Sequence, residues 1–216
     1  MGKYQNGLET QEKILDACRK LFYEKGYDNT TFANISKETG INQSAIHYHF
    51  KSKENLLQII YRESLRKNNE LVEFYSDRST SSLTKFFFGG EIYLYKAAKD
   101  VKYRKFYIDA AGLLRTDADS FSVEQANILD FLKDAVCQDE EEVQFNLMMM
   151  AAMDQMVLMY MDSKMPEIDV RMLQRKVEKI YKRILEVSDE AFDEALMQQR
   201  ILEERCKWEE IDTTLG

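Results

Sequence analysis

Residues 30–53 read TTFANISKETGINQSAIHYHFKSK, and this stretch decides the fold. Ala33, Ile35 and Ser36 open a helical segment that runs toward Thr39. Gly40 follows, where a left-handed backbone is cheap only for glycine. Ile41 is apolar and plugs the turn. Asn42 has the short polar side chain that caps a second helix, from Gln43 to about His49. Ile46 and Phe50 are four residues apart, so they share a face that buries against the first helix. Gln43, Ser44, His47 and Tyr48 are left on the outward face. Amides, hydroxyls and imidazoles on a short helix suit the base edges of a DNA major groove. The stretch reads as a helix-turn-helix.

On its amino-terminal side, Thr10 is placed to cap a helix running to about Lys25. Ile14, Cys18, Leu21 and Phe22 fall at i, i+4, i+7 and i+8, one apolar stripe. Gly26 stops that helix, residues 28–30 form a polar turn, and Thr31 caps the next helix. Residues 1–9 are polar and are expected to be disordered. The shared core of the three helices would be Ile14, Leu21, Phe22, Tyr27, Phe32, Ile35, Ile41, Ile46 and Phe50.

From about residue 10 to 60 the chain resembles the DNA-binding domain of the TetR family of bacterial transcriptional regulators. The residues that carry the resemblance are Leu21, Phe22, Gly26, Tyr27, Thr30, Thr31, Gly40, Ile41, Asn42, Tyr48, Phe50, Ser52, Lys53 and Leu56. They fit at fixed spacing without gaps. His47 stands where the family usually has tyrosine, and Asn34–Ile35–Ser36 replaces an acidic-Ile-Ala run. Beyond about residue 60 the resemblance is one of helical content and length. The resemblance implies DNA contacts by Gln43, Ser44, Ala45, His47 and Tyr48, with His49 facing either DNA or the first helix. Lys53, at a helix start, would contact a phosphate. Thr31 would offer its hydroxyl and nearby amides in the same way. It further implies a homodimer on a near-palindromic double-stranded operator, and a small-molecule effector bound in the body. Repression is the family's usual mode; activation is the alternative.

The composition agrees. Of 216 residues, 44% are hydrophobic and 31% charged, with one proline and eight glycines, so few breakers interrupt helices. An all-α fold is expected: a three-helix head followed by a larger helical regulatory and dimerisation domain. The net charge of −8 is uneven. Residues 1–67 carry 11 Lys and Arg against 8 Asp and Glu, while the remainder carries 19 against 30. A DNA-facing head on an acidic body fits that asymmetry. Cys18, Cys137 and Cys206 have no metal-site spacing and read as reduced thiols of a cytoplasmic protein. The first 11 residues lack the apolar run of a secretory signal. The most apolar stretch, residues 147–161, is too short to span a bilayer and is interrupted by Asp154.

The domain reading is 1–52 for the helix-turn-helix domain, 53–76 for a linking helix capped by Ser52, 77–187 for the effector-binding and dimerisation domain, and 188–216 for a carboxy-terminal helical extension. Residues 77–82 form the polar break. Helices are expected over 83–98, 103–114, 122–136 (capped by Ser122), 140–163 and 169–187 (capped by Asp169), with a polar stop at 115–120 and an acidic run at 139–142. Helix 140–163 is apolar nearly all round and must be covered by something, which the resemblance makes the dimer partner. In the extension, Ser188 caps a helix whose Phe192, Ala195, Leu202 and Cys206 share a face with Gln199.

Phe87, Tyr93, Tyr107, Met153, Asp154 and Tyr160 are the candidate effector contacts, for a molecule at least partly apolar. Asp154 is the sharpest of them, because an unpaired carboxylate in an apolar segment is costly. Catalysis is not indicated. The only histidines are His47 and His49, there is no glycine-rich phosphate loop or nucleophile motif, and no cofactor is called for. A helix-turn-helix adaptor acting through protein contacts is the competing class.

Overall fold

The computed structural model describes residues 2–114, 132 and 140–215. Among them every element is helical: α1 Gly2–Lys25, α2 Phe32–Thr39, α3 Gln43–His49, α4 Lys53–Tyr75, α5 Ser82–Lys99, α6 Val101–Leu114, α7 Glu140–Lys164, α8 Val170–Ile184, α9 Asp189–Arg205 and a 3-10 turn, Trp208–Glu210. The expected stop at 115–120, the helix at 122–136, Cys137 and Asp139 lie outside the described residues.

The helix starts are written by short polar side chains. Thr31, Asn42, Ser52, Ser81, Asp169 and Ser188 each accept a hydrogen bond from a backbone N–H three residues on. Such caps contribute about 1 kcal/mol each. At Thr31 the cap is reciprocal: the Asn34 side chain bonds back to the Thr31 backbone, closing a capping box. Asn34 thus does there what a longer acidic side chain does in the usual box. Gly26 (φ 82°) and Gly40 (φ 71°) end α1 and α2 in the left-handed region, where a side chain would be strained. One start differs from expectation. α1 begins at Gly2 rather than at a Thr10 cap. No proline precedes Thr10, the interior Gly7 costs only about 1 kcal/mol, and extending a helix already anchored downstream costs far less than nucleating one.

Ile14, Ile35, Ile46 and Phe50 are buried in the head as expected, but their core does not stop there. It runs on through Leu56, Leu57 and Ile60 of α4 to Tyr103, Phe106 and Tyr107 of α6. Each such side chain contributes roughly 1.5–3 kcal/mol when fully buried. The head is therefore packed against α6 as well as joined by α4. Arg19 of α1 also pairs with Glu63 of α4 at 2.8 Å.

A second core lies between α5, α7, α8 and α9, where Leu83, Phe87, Leu147, Val177, Tyr181, Phe192 and Ala195 meet. The extension is integral to the body. α9 packs along α5, and Trp208 packs at a tilt against Tyr95 and edge-on against Phe88. The tail brings Leu215, 3% exposed, into the head-to-body core. Among the described residues no helix is long and apolar enough to cross a membrane.

Candidate nucleic-acid interface

α3 is fixed by two side chains and offers the rest. Ile46 is 0% and Phe50 4% exposed, anchoring the helix to α1 and α4 through the head core. Gln43, Ser44, His47 and Tyr48 are exposed; Ala45 and His49 are half-buried. Tyr48 is 85% exposed, so its ring does nothing for the fold. His47 packs its ring on Phe32 of α2, with centroids 4.0 Å apart and planes at 32°. That contact fixes the imidazole at the junction of α2 and α3. The half-buried setting of His49 leaves it between its two expected orientations.

Thr31 is exposed, but its hydroxyl is occupied locally. It donates to Asn34 Oδ1 at 2.8 Å and accepts from the Asn34 N–H at 3.2 Å. Lys53 is drawn inward further than its position at a helix start suggests. Its Nζ donates to the carbonyls of Tyr27 (2.9 Å) and Thr30 (3.1 Å) and lies 3.9 Å from the Tyr27 ring centroid. Two of the three ammonium protons thus clamp the α1–α2 turn to α4. Beside it, the Tyr27 hydroxyl donates to Glu54 at 2.9 Å. The backbone amide at the start of α4, with the Tyr27 and Ser52 hydroxyls, holds the Glu54 carboxyl below its usual range. Lys51, which sequence reasoning passed over, is exposed directly after α3. Its signal was position alone, a cation one residue past the helix-closing Phe50.

In the body the six candidate effector residues separate. Tyr93 and Tyr107 pack edge to face at 5.0 Å, with Tyr61 and Tyr103 against Tyr107. Asp154 faces the same side: its carboxylate accepts a hydrogen bond from the Tyr181 hydroxyl and acts electrostatically on Tyr93. Burial pushes the Asp154 carboxyl up to about 6, against the pull of the Tyr181 hydrogen bond. Met153 packs on the second core. The other two fall elsewhere. Phe87 is core, packed edge-on to Phe192 at 5.6 Å. Tyr160 is half exposed on the outer side of α7. Tyr181, the partner of Asp154, was not foreseen, because nothing local marks a residue 27 positions away as its neighbour.

Residues 14–60 match the family model for bacterial regulatory proteins of the tetR family. Over 55 residues the chain is 44% identical to IcaR, the negative transcriptional regulator of a biofilm operon in Staphylococcus epidermidis, covering 26% of this chain and 28% of that one. It is 36% identical over 67 residues to the transcriptional regulator AcrR of Shigella flexneri, 31% of each chain. The chain thus aligns with less than a third of the length of these curated relatives. The solved structure of RolR with resorcinol matches with a TM-score of 0.61 at 16% identity, over 89% of this chain and 95% of that one. Tylp, a TetR regulator of Streptomyces fradiae, matches with a TM-score of 0.57 at 15% identity, over 95% of each. At those identities the likeness is one of fold. The head is thus similar in sequence to regulators of the tetR family, and the chain as a whole shares the fold of RolR and Tylp.

Proposed function

We propose that this protein is a sequence-specific DNA-binding transcriptional repressor, acting as a homodimer and released from a near-palindromic operator by a small-molecule effector. The observation that carries the reading is the outward face of α3. Tyr48, His47, Ser44 and Gln43 are exposed, while Ile46 and Phe50 pin the helix to the core. A seven-residue helix reads few base pairs, so two copies are needed for a specific site. Phe145, Met148, Met149, Met156, Met159 and Tyr160 of α7 are exposed, as are Met172 and Ile180 of α8. An apolar surface of that extent favours a partner copy. For the effector, Asp154 with Tyr93, Tyr107 and Tyr181 supplies a carboxyl set among aromatic rings, suited to a partly apolar molecule with a hydrogen-bonding or cationic group. A relative in fold, RolR, is described with resorcinol bound.

The test is a gel shift with fragments of the source chromosome at moderate salt, followed by transcription from the retained promoter with and without the protein. Retention of one or a few fragments and lower transcription are expected. No retained fragment would favour an adaptor; retention with increased transcription would make the protein an activator.

A further inference from the structure

Where α5, α8 and α9 meet, the body brings together three glutamates and one arginine, Glu91 and Glu178 buried and Glu203 and Arg175 half-buried. Arg175 of α8 donates to Glu178 Oε2 at 2.8 Å and to Glu203 Oε1 of α9 at 2.9 Å. Gln199 of α9 is 0% exposed and at the centre. Its amide nitrogen donates to Glu91 of α5 at 3.0 Å and to Glu178 at 3.1 Å, and its carbonyl accepts from Arg175 at 3.2 Å. Gln174 fills the remaining place, donating to Glu178 at 2.8 Å. Gln199 is thereby saturated, with both amide protons used. Arg175 serves Glu178 and Glu203 directly and Glu91 only from a distance. Glu91 is buried, takes its hydrogen bond from Gln199, and feels the negative charge of Glu203 across the α5–α9 contact. A buried carboxylate bonded by no cation and facing a second negative charge is costly unless it carries a proton.

We propose that Glu91 holds a proton that latches α9 onto α5 and α8, and that raising the pH expels this proton and loosens the carboxy-terminal segment. The groups facing Glu91 are Glu203 from α9, Cys206 just beyond α9, and Arg175 and Glu178 from α8. Tyr75, at the end of α4, reaches Cys206. Burial and the Glu203 carboxyl push Glu91 up to about 8, opposed by the Gln199 amide and by Arg175. Docked α9 therefore binds a proton that released α9 gives up. Docking is tightest below the ordinary carboxyl range and weakens as pH rises toward 8. The consequence extends past α9. The tail that follows it places Asp212 near Lys67, Lys96 and Tyr23 of α1, and buries Leu215 in the core shared with the head.

The chain carries its own reporter. Its single tryptophan, Trp208, donates its indole N–H to the Glu203 carbonyl at 3.1 Å. Hydrogen exchange of residues 189–205, corrected for the intrinsic rate, and Trp208 emission are measured from pH 6 to 9 on the full chain. Opening of α9 is expected to increase by up to roughly tenfold per pH unit until Glu91 is ionised, then level off, with Trp208 emission shifting over the same range. Glu91→Gln, which still accepts from Gln199, should stay protected and flat. Should Glu91→Gln fail to fold, Glu203→Gln takes its place and is expected to move the midpoint to lower pH. A flat profile in the parent protein, an unchanged profile in Glu91→Gln, or an unmoved midpoint in Glu203→Gln would overturn the proposal.

Discussion

The Tyr23 hydroxyl of α1 donates to the Asp100 carboxylate, which lies between α5 and α6. Asp100 has a second task. Its other oxygen accepts from the backbone N–H groups of Lys102 (2.8 Å) and Tyr103 (3.1 Å), capping α6. One carboxylate therefore starts a body helix and ties the head to it. Burial and Asp100 together push the Tyr23 phenol up to about 12. Tyr23→Phe keeps the ring and removes the tie. A loss of roughly 1 kcal/mol in stability is expected, together with a weaker effect of any effector on operator affinity. Urea unfolding and operator titration measure the two; full effector coupling in Tyr23→Phe would show that the tie carries none of it.

Lys53 and Lys51 should behave differently. Lys53→Ala removes two hydrogen bonds to the α1–α2 turn, so thermal stability should fall by about 1–3 kcal/mol. Lys51 is exposed, and Lys51→Ala should leave stability within about 0.5 kcal/mol of the parent while lowering the salt slope of DNA binding by about 1. Equal stabilities of the two variants would contradict the clamp geometry.

On α3, Tyr48→Ala should weaken operator binding with little change in unfolding, because the ring is exposed. Gln43→Ala should act mainly on sequence preference, with on the order of 1–3 kcal/mol of discrimination lost at one base pair. Titration against an operator and its single-base variants separates the two effects. A cooperative loss of stability in Tyr48→Ala would place the ring in the core instead.

Asp154 predicts a pH effect. Its carboxyl is raised from 3.8 to about 6 in the folded protein, so the folded state binds the proton more tightly than the unfolded chain. Stability from this group is full below the unfolded value and is lost as pH climbs toward 6. Asp154→Asn still accepts from Tyr181 and carries no charge. It should flatten the profile in that window and raise stability at neutral pH by roughly 1–3 kcal/mol. Chemical denaturation of both proteins from pH 4 to 7 checks it; parallel profiles would mean the carboxyl is solvated.

Met156, 62% exposed, and Met159 lie on the uncovered face of α7. The double variant Met156→Glu, Met159→Glu should keep its helical content and sediment as a monomer, with operator affinity lost along with the second half-site. A dimer that persists in that variant would put the interface elsewhere.

The sequence by itself determined the head. Thr31, Gly40, Asn42 and Ser52 mark helix ends through contacts made within a few residues, and the spacing of Ile46 and Phe50 left one face of α3 to point outward. Those signals are local, so a linear reading reaches them. The same logic placed α4, α8 and α9 from their caps. It misjudged the start of α1, which depends on propagation from an anchored end and not on a cap. What tertiary structure decided are the partners of groups whose own neighbourhood in sequence is silent. Lys53 turns inward to carbonyls 23 and 26 residues away. Asp154 finds Tyr181 on another helix, and Gln199 finds Glu91 across 108 residues. Phe87 and Tyr160 look alike as aromatic residues in a helical body, yet one is core and the other faces outward. Helical periodicity says which residues share a face, but only the packing of whole helices settles what that face meets. A buried polar group must take whatever donor or acceptor that packing brings within reach.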